Sequence, residues 1–378
     1  MTKRSDDIAI VGIGTTAQGE LPGRTANSIA VEAIEAALAD AGLGREDVDG
    51  LITCRNLQAR AGIDEQVGEL LGIAPRYGAT LDYGTGNFSL HLAAMAIGAG
   101  LAETIVLAYG TNQRSAHADF GIAVGGGAEM AQAAGVVHVA GRAALAFRRH
   151  QHLYGTTEEQ LGWVSVAQRE WAQHNPLAIF RKPLTIGDYL ASDPLVAPLR
   201  RADLTMISDG GAALVVTTAE RARDLPRKPV RLSAMAQRTA FRADHAPDSL
   251  LRPWLGDLAQ ELWTTSGFTP KDIDALYIQD ATSVWVLQML EWYGFAPLGE
   301  GGAFLAEGHT RPGGSLPVNT NGGQLSEAYM WGWLHLVEAV RQLRGEAGER
   351  QIAGIEVALD VSSHDFLKGA ASILTAGA

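Results

Sequence analysis

The chain has 378 residues and a mass of 40.0 kDa, which is more than one simple core usually fills and indicates two structural units or one large α/β domain. Its 42 acidic residues outnumber its 30 Lys and Arg, and the resulting net charge of −12 argues against nucleic acid as a partner. The single cysteine, Cys54, excludes an intrachain disulfide framework and any cysteine-based zinc or iron–sulfur cluster.

Signals for membrane insertion or export are missing from the sequence. No apolar run reaches the roughly 18 residues that a membrane span needs. The apolar run at 8–14 is too short for the core of a secretory signal, and residues 375–378 carry no peroxisomal address. We therefore expect a cytoplasmic protein without a membrane partner.

Short apolar runs rich in Val and Ile alternate along the chain with longer segments of helical period. The runs predict strands at 8–12, 104–109, 213–217, 275–278, 355–360 and 371–375. Two apolar stripes of helical period are formed by Ala30, Ile34, Leu38 and Ala41, and by Met330, Leu334 and Val337. This alternation predicts an α/β layered architecture.

One motif occurs twice: a glycine that ends a helix, a short turn, and an Asp-(Val/Ile)-Asp sequence that leads into an apolar run. Its members are Gly42, Asp47 and Asp49 in the first copy and Gly267, Asp272 and Asp274 in the second, at a constant offset. The alternative is chance reuse of a common helix-to-strand connection. A second correspondence favours duplication, because glycine-rich turns at 83–90 and 321–329 each predict the start of a helix before an apolar run.

These stretches resemble the thiolase superfamily, in particular the sterol-carrier-protein-type thiolases that are often called lipid-transfer proteins. Matching segments lie at 154–161, 175–176, 198–200, 208–213 and 317–323, and together they are specific although each is weak alone. The resemblance covers nearly the whole chain. It implies two βαβαβαββ halves in a five-layer α-β-α-β-α sandwich, usually dimeric. We expect an N-terminal half at 1–228, with an inserted loop region at about 111–201, and a C-terminal half at 229–378.

The residues that thiolases use for thiolysis are replaced. The family's nucleophilic cysteine, at the start of the central helix of the first half, aligns with Tyr83. Tyr329 replaces the histidine of the family's Gly-His-Pro, and the loop that holds a second family cysteine contains His364 but no cysteine. Cys54 follows a predicted strand far from the nucleophile turn, and we interpret it as a small apolar residue. The chain is therefore not expected to be a thiolase.

Two phenols at helix N-termini fit proton chemistry without a covalent intermediate. The pKa of a free tyrosine is near 10, and a helix N-terminus favours the phenolate, as a general base requires. The reaction that suits this pair is retro-aldol cleavage of a β-hydroxyacyl-CoA, with no permanently bound cofactor and no metal. The sequence is similar to thiolase-like aldolases of bacterial steroid side-chain degradation, which keep Gly-Gly-Gln-Leu-Ser-Glu followed by Gly-Tyr.

That similarity implies a steroid side-chain CoA ester as substrate, with a ketone and propionyl-CoA as products. It also implies a catalytic tyrosine at Tyr329, and a small partner subunit with an OB fold and a zinc ribbon beside a homodimeric core. Two features depart from the subgroup: Ala328 stands where glycine is usual, and the segment 280–285 lacks the subgroup's second catalytic tyrosine. Either Tyr83 or His364 supplies the second proton function, or the substrate differs.

Three residues are therefore the catalytic candidates, each with a structural alternative. Tyr329 is the candidate base, or a core aromatic residue of the following helix. Tyr83 is the second phenol, or fills the space of the lost thiolate. His364 is a candidate acid, or a solvated loop histidine.

Five further residues are candidates for binding the substrate: Asp280, Asn319, Gly322, Gly323 and Trp285. Asp280 orients a water or a tyrosine, or caps a turn. The two glycines allow close backbone approach or line the acyl pocket with their amides. The same two alternatives apply to Asn319. Trp285 contacts a bulky apolar substrate, or packs in the core or at an interface.

The main alternative function is a non-catalytic thiolase-like subunit that binds acyl-CoA or serves as a scaffold. The loss of all thiolysis residues favours it. A Claisen-type acyltransferase is disfavoured, because that chemistry needs the missing nucleophile.

Overall fold

The computed structural model describes residues 8–55, 62–82, 85–118, 133–136, 138–240, 248–364 and 368–377. The strands are β1 (Ile8–Thr15), β2 (Gly50–Cys54), β3 (Tyr77–Leu81), β4 (Ile105–Thr111), β5 (Pro194–Val196), β6 (Leu199–Arg200), β7 (Gly210–Thr218), β8 (Val230–Thr239), β9 (Ala275–Ile278), β10 (Val357–His364) and β11 (Lys368–Ala376). The helices are α1 (Ala26–Ala41), α2 (Ile63–Leu71), α3 (Gly86–Gly98), α4 (Val139–Tyr154), α5 (Glu158–Gln173), α6 (Ile186–Ala191), α7 (Ala219–Ala222), α8 (Trp254–Ser266), α9 (Ser283–Trp292), α10 (Gly301–Ala306), α11 (Gly323–Ser326) and α12 (Trp333–Arg344).

The main sheet has the same order of strands on either side of its centre. Its nine strands run β3-β2-β4-β7-β1-β8-β11-β10-β9, and β1 and β8 meet antiparallel in the middle. On one side, β1 pairs antiparallel with β7, and β4 pairs parallel with β2; on the other, β8 pairs antiparallel with β11, and β10 pairs parallel with β9. In the first half, β3 pairs parallel with β2 at the edge of the sheet. In the second half, a parallel bridge between Leu276 of β9 and Val318 takes the corresponding place. The two halves therefore share one topology.

The repeated glycine ends a helix in both halves. Gly42 follows α1 with φ +69°, and Gly267 follows α8 with φ +77°. Glycine adopts this left-handed conformation without the steric cost that a side chain would add. In the turns that follow, the carboxylate of Asp47 accepts a hydrogen bond from the backbone N–H of residue 44 at 2.9 Å, and Asp272 accepts one from residue 269 at 2.7 Å.

The last aspartate of the motif ties neighbouring parts of the sheet together. Asp49, just before β2, accepts a hydrogen bond from the N–H of Thr104, next to the start of β4, at 2.8 Å. Asp274, just before β9, accepts one from the N–H of Val357, the first residue of β10, at 2.9 Å. The motif recurs because both halves need the same clip between adjacent parallel strands.

The apolar core has three parts, and these define the layers. The middle part contains α3 and α12 and touches strands of both halves. One outer part lies between α1, α2 and the first-half strands, and the other lies between α8, α9 and the second-half strands. This arrangement is the five-layer α-β-α-β-α sandwich, so the predicted fold class is confirmed.

Two sequence predictions differ from the structure in detail. The segment 111–201, which was predicted as an inserted loop region, contains three helices: α4, α5 and α6. Of these, α5 packs on α9, α10 and α11, and Phe147 of α4 lies in the outer core of the second half. The stretch 321–329 does not open the long helix. It forms only the short α11, because Trp331 (φ +52°) and Gly332 (φ +80°) interrupt the helical path before α12. The boundary of the halves at 228 stays a prediction.

Candidate active site

The two central helices begin beside each other, as the duplicated fold requires. Gly86, the first residue of α3, lies so close to α12 that an added Cβ would be 2.8 Å from Cδ1 of Leu336. Thr85, which precedes α3, has its hydroxyl 3.0 Å from that of Ser362 in β10. Backbone N–H groups at helix starts favour negative charge. The place where α3 and α12 begin is therefore the candidate active site.

Tyr329 lies in the segment that joins α11 to α12. Its backbone N–H donates to the hydroxyl of Ser208 at 3.3 Å, and its ring centroid is 5.8 Å from that of Trp331. The side chain is half-buried and packs against the middle core. A phenol in this position is next to the start of α12 without being part of that helix.

Tyr83 and the side chain of His364, two of the three catalytic candidates, lie outside the described part of the chain. His364 is the last residue of β10, where its backbone pairs with Lys368, but its side chain is outside the described part of the chain. The roles predicted for both residues stay predictions.

Asp280 is fully buried and holds the segment that carries Tyr329. Its Oδ1 accepts a hydrogen bond from the N–H of Gln324 at 2.9 Å, and its Oδ2 accepts one from the N–H of Leu325 at 3.1 Å. Nε2 of His335, in the first turn of α12, lies 2.9 Å from the same Oδ1. Asp280 therefore caps α11, as one of the two sequence interpretations has it, and its part in substrate binding stays a prediction.

His335 is the third group that contacts the carboxylate of Asp280. Burial lowers the pKa of His335, but the hydrogen bond and the charge of Asp280 outweigh burial, and the pKa is raised above its ordinary value. Both side chains of this pair are buried. Such a pair is costly to break, because either partner alone would be left as a buried polar group without this hydrogen bond.

Asn319, Gly322 and Gly323 shape the loop before α11. The side-chain oxygen of Asn319 accepts from the N–H of Ile278 at 2.7 Å, and its amide nitrogen donates to the carbonyl of Ile278 at 2.9 Å, so the side chain acts like a neighbouring strand. An added Cβ on Gly322 would lie 2.6 Å from Cβ of Ala172, and one on Gly323 would collide with the carboxylate of Asp280. Close packing is thus what these two glycines provide.

Trp285 belongs to a buried cluster in the first turn of α9. The guanidinium carbon of Arg252 lies 5.0 Å from the Trp285 ring centroid. Arg252 also donates to Oε1 of Gln288 and to Oγ of Ser363, both at 2.7 Å. Since Ser363 directly precedes His364, this cluster reaches the end of β10. Only 3% of Trp285 is exposed, and its contact with a substrate stays a prediction.

Cys54, the chain's only cysteine, is a buried thiol. Its Sγ is 3.0 Å from the hydroxyl of Ser89 in α3, and burial raises its pKa to about 12. A thiol in this state is protonated at neutral pH, so it lacks the thiolate that a nucleophile needs. Among the described residues, no group of three or more His, Cys, Asp or Glu is placed to hold a metal ion.

Sequence reasoning missed three residues that surround this place: His335, Asp360 and Tyr109. Each lies inside an apolar run or stripe, and such a pattern predicts a core position but gives no indication of polar contacts. Tyr109, in β4, stacks on Trp333 with 6.3 Å between ring centroids. Its pKa is raised well above the ordinary value, first by burial and then by the nearby phenol of Tyr329. A second phenol, which stays neutral, therefore lies beside Tyr329.

Comparison with known proteins identifies the relatives of this chain. A family model described as "Thiolase C-terminal domain-like" matches residues 242–376. A protein named 17-hydroxy-3-oxo-4-pregnene-20-carboxyl-CoA lyase, from Mycobacterium tuberculosis, is 38% identical over 373 residues, which covers 93% of this chain and 95% of the relative. A steroid side-chain-cleaving aldolase from Thermomonospora curvata is 39% identical over 357 residues, covering 89% and 90%.

A solved structure is similar over almost the whole length. It carries the name Ltp2-ChsH2(DUF35) aldolase, is 35% identical, has a TM-score of 0.90, and covers 98% of both chains. Together with the two enzymes, it confirms the resemblance drawn from the sequence.

Proposed function

Because the chain belongs to the thiolase superfamily, we propose that it is a thiolase-like aldolase, a carbon–carbon lyase that cleaves a β-hydroxyacyl-CoA by retro-aldol scission. The observation that carries this proposal is a thiolase fold whose sole cysteine is a buried, protonated thiol, while Tyr329 lies where the two central helices begin. The names of relatives that match over nearly the full chain support the same reaction.

The proposed reaction is a proton transfer coupled to carbon–carbon cleavage. Tyr329, as phenolate, takes the proton of the β-hydroxyl; the Cα–Cβ bond breaks, and its electron pair moves into the thioester to give an enolate, while Cβ becomes the carbonyl of a ketone. The phenol then returns a proton to Cα, which yields a short acyl-CoA and restores the base. Helix N-termini stabilise the phenolate and the enolate. No resident cofactor is required.

The residues around Tyr329 serve to hold it in place. Asp280 fixes the start of α11 through two backbone N–H groups, and the side chain of Gln324 accepts a hydrogen bond from the N–H of Gly332 at 3.0 Å. The segment between them, 325–331, is therefore tied at both ends. A catalytic group held this way needs little reorganisation when the substrate binds.

We further propose a steroid side-chain CoA ester as substrate and propionyl-CoA as the short product, since the names of both enzyme relatives concern steroids. The solved relative includes a DUF35 component in its name. We accordingly propose a small OB-fold and zinc-ribbon subunit as partner of a homodimeric core. Cytoplasmic location stays part of the proposal. None of the described helices is long and apolar enough to span a bilayer.

The test uses the chain co-expressed with a DUF35-type subunit and 17-hydroxy-3-oxo-4-pregnene-20-carboxyl-CoA as substrate. We expect equal amounts of steroid ketone and propionyl-CoA, measured by liquid chromatography and mass spectrometry. Tyr329→Phe should lower turnover by about a hundredfold or more. Tyr154→Phe, at an exposed tyrosine that ends α4, is the matched control.

Two outcomes would reject the proposal. Full turnover by Tyr329→Phe removes the catalytic role of that phenol. Tight acyl-CoA binding without any turnover by the wild-type complex would instead establish the alternative, a non-catalytic thiolase-like subunit.

A further inference from the structure

Two glutamine side chains flank Gly332, the residue that precedes α12. Oε1 of Gln324 accepts a hydrogen bond from the N–H of Gly332. Gln279, directly after β9, packs against the same residue, since a Cβ added to Gly332 would lie 3.6 Å from Cβ and Cγ of Gln279. Both glutamines are buried. Because Gly332 follows Tyr329 by three residues, both lie close to the segment of Tyr329.

Backbone donors fix the orientation of both amides. The oxygen of Gln279 accepts from the N–H of Ser363 at 3.2 Å, as that of Gln324 accepts from Gly332. A backbone N–H can only donate, so each glutamine must turn its oxygen toward the main chain and its NH2 group away from it. Asp280 reinforces this by accepting from the backbone N–H of Gln324.

The NH2 group of Gln324 has no acceptor within the described part of the chain. Nε2 of Gln324 is buried there without a hydrogen-bond partner. The hydrogen bond of the Gln279 side chain to the described residues uses its oxygen. Buried amide donors are normally paired, so the unmatched donor of Gln324, with the amide of Gln279 on the other side of Gly332, points to an oxygen atom supplied by a ligand.

We infer that Gln279 and Gln324 are the donors that hold the thioester oxygen of the substrate while it carries the enolate charge. This inference rests on the proposed function, because the proposed carbon–carbon cleavage is the step that places a developing negative charge on that oxygen. Neutral amide donors suit this role, because they stabilise the oxyanion without giving up a proton and leave proton transfer to Tyr329. Asp280 is then a positioning residue for Gln324.

The first test is a binding experiment that does not depend on turnover. Propionyl-CoA and its thioether analogue S-propyl-CoA differ in the carbonyl oxygen, and the affinity of the complex for each is measured by calorimetry. We expect the wild type to prefer the thioester by about tenfold, as one hydrogen bond to a ligand oxygen is worth. Gln279→Glu and Gln324→Glu keep the oxygen that accepts from the backbone and lose the donor, so both should lose this preference.

The second test is turnover of the steroid ester. Removal of one such donor should lower kcat by about a hundredfold to a thousandfold. Gln66→Glu, at an exposed position of α2, controls for the change of charge, and thermal unfolding verifies that each variant is folded.

The outcomes separate the inference from the proposed function. A wild-type complex without a thioester preference, or folded Glu variants that keep it, overturns the assignment of the two donors. A preference that is present in the wild type and lost in the variants, with no turnover of the steroid ester, upholds the donors and rejects only the proposed reaction.

Discussion

Asp360 offers the sharpest test of the buried charges around α12. Its carboxyl lies in β10, where Nδ2 of Asn87 donates to Oδ1, while Oδ2 has no hydrogen-bond partner among the described residues. Burial raises its pKa from 3.8 to about 7, against the opposing effects of His335 and Asn87. Asp360→Asn keeps the size of the side chain and removes the titration.

The sign and size of the effect follow from proton linkage. Between pH 3.8 and about 7 the folded state binds a proton at Asp360 that the unfolded state has already released, so wild-type stability falls as pH rises through this window. At about 1.4 kcal/mol per pH unit, the difference between a pKa of 3.8 and one of about 7 corresponds to about 4 kcal/mol in the free energy of unfolding. About 3 kcal/mol of this arises above pH 5. The Asn variant does not incur this loss.

The assay is urea unfolding of wild type and variant at a series of pH values from about 5 to 8. We expect the stability of Asp360→Asn relative to wild type to increase with pH and to level off above about pH 7. Asp257→Asn, at an exposed aspartate of α8 that pairs with Arg238, is the control and should show no such trend. A difference in stability between Asp360→Asn and wild type that is the same at every pH would show that Asp360 does not titrate in this range.

Two further predictions concern the start of α3. Cys54→Ala should leave lyase turnover nearly unchanged, and loss of turnover in this variant would show that the thiol takes part in the reaction. In the native wild type, Cys54 should react with a thiol reagent far more slowly than after unfolding, because the thiol is buried and has a pKa of about 12. Gly86→Val should lower the free energy of unfolding by about 1–3 kcal/mol, because a side chain there overlaps Leu336 of α12; wild-type stability in denaturant unfolding would contradict the close contact of the central helices.

The sequence was sufficient for the features of the fold that depend on local chemistry. A glycine after a helix and an aspartate before a strand form their hydrogen bonds within a few residues or to the adjacent strand, so the repeat of Gly42 and Asp49 as Gly267 and Asp274 marked the two halves. The helices of the segment 139–173 were missed. Their apolar residues pack on the second half, far away in sequence, and no local signal reveals that surface.

The polar surroundings of Tyr329 could not be predicted for the same reason. Asp280 meets His335, and Gln324 meets Gly332, only after β9, α11 and α12 have packed. Asp280 and Gly323 were identified from family motifs, which indicate position but not contact. His335 and Asp360 lie in apolar stretches whose periodicity predicts a core, so their polar contacts become visible only in three dimensions.

A requirement for free CoA separates a thiolase from the lyase proposed for this chain. A thiolytic enzyme transfers an acyl group to added CoA, whereas the reaction we propose breaks the carbon–carbon bond of the steroid ester with no second substrate. In deuterated water without free CoA, we predict full conversion to ketone and propionyl-CoA carrying one deuterium at Cα, and almost none with Tyr329→Phe. Cleavage that begins only when CoA is added would contradict the proposed lyase reaction. Cleavage that proceeds equally well in Tyr329→Phe would contradict the role of the phenol.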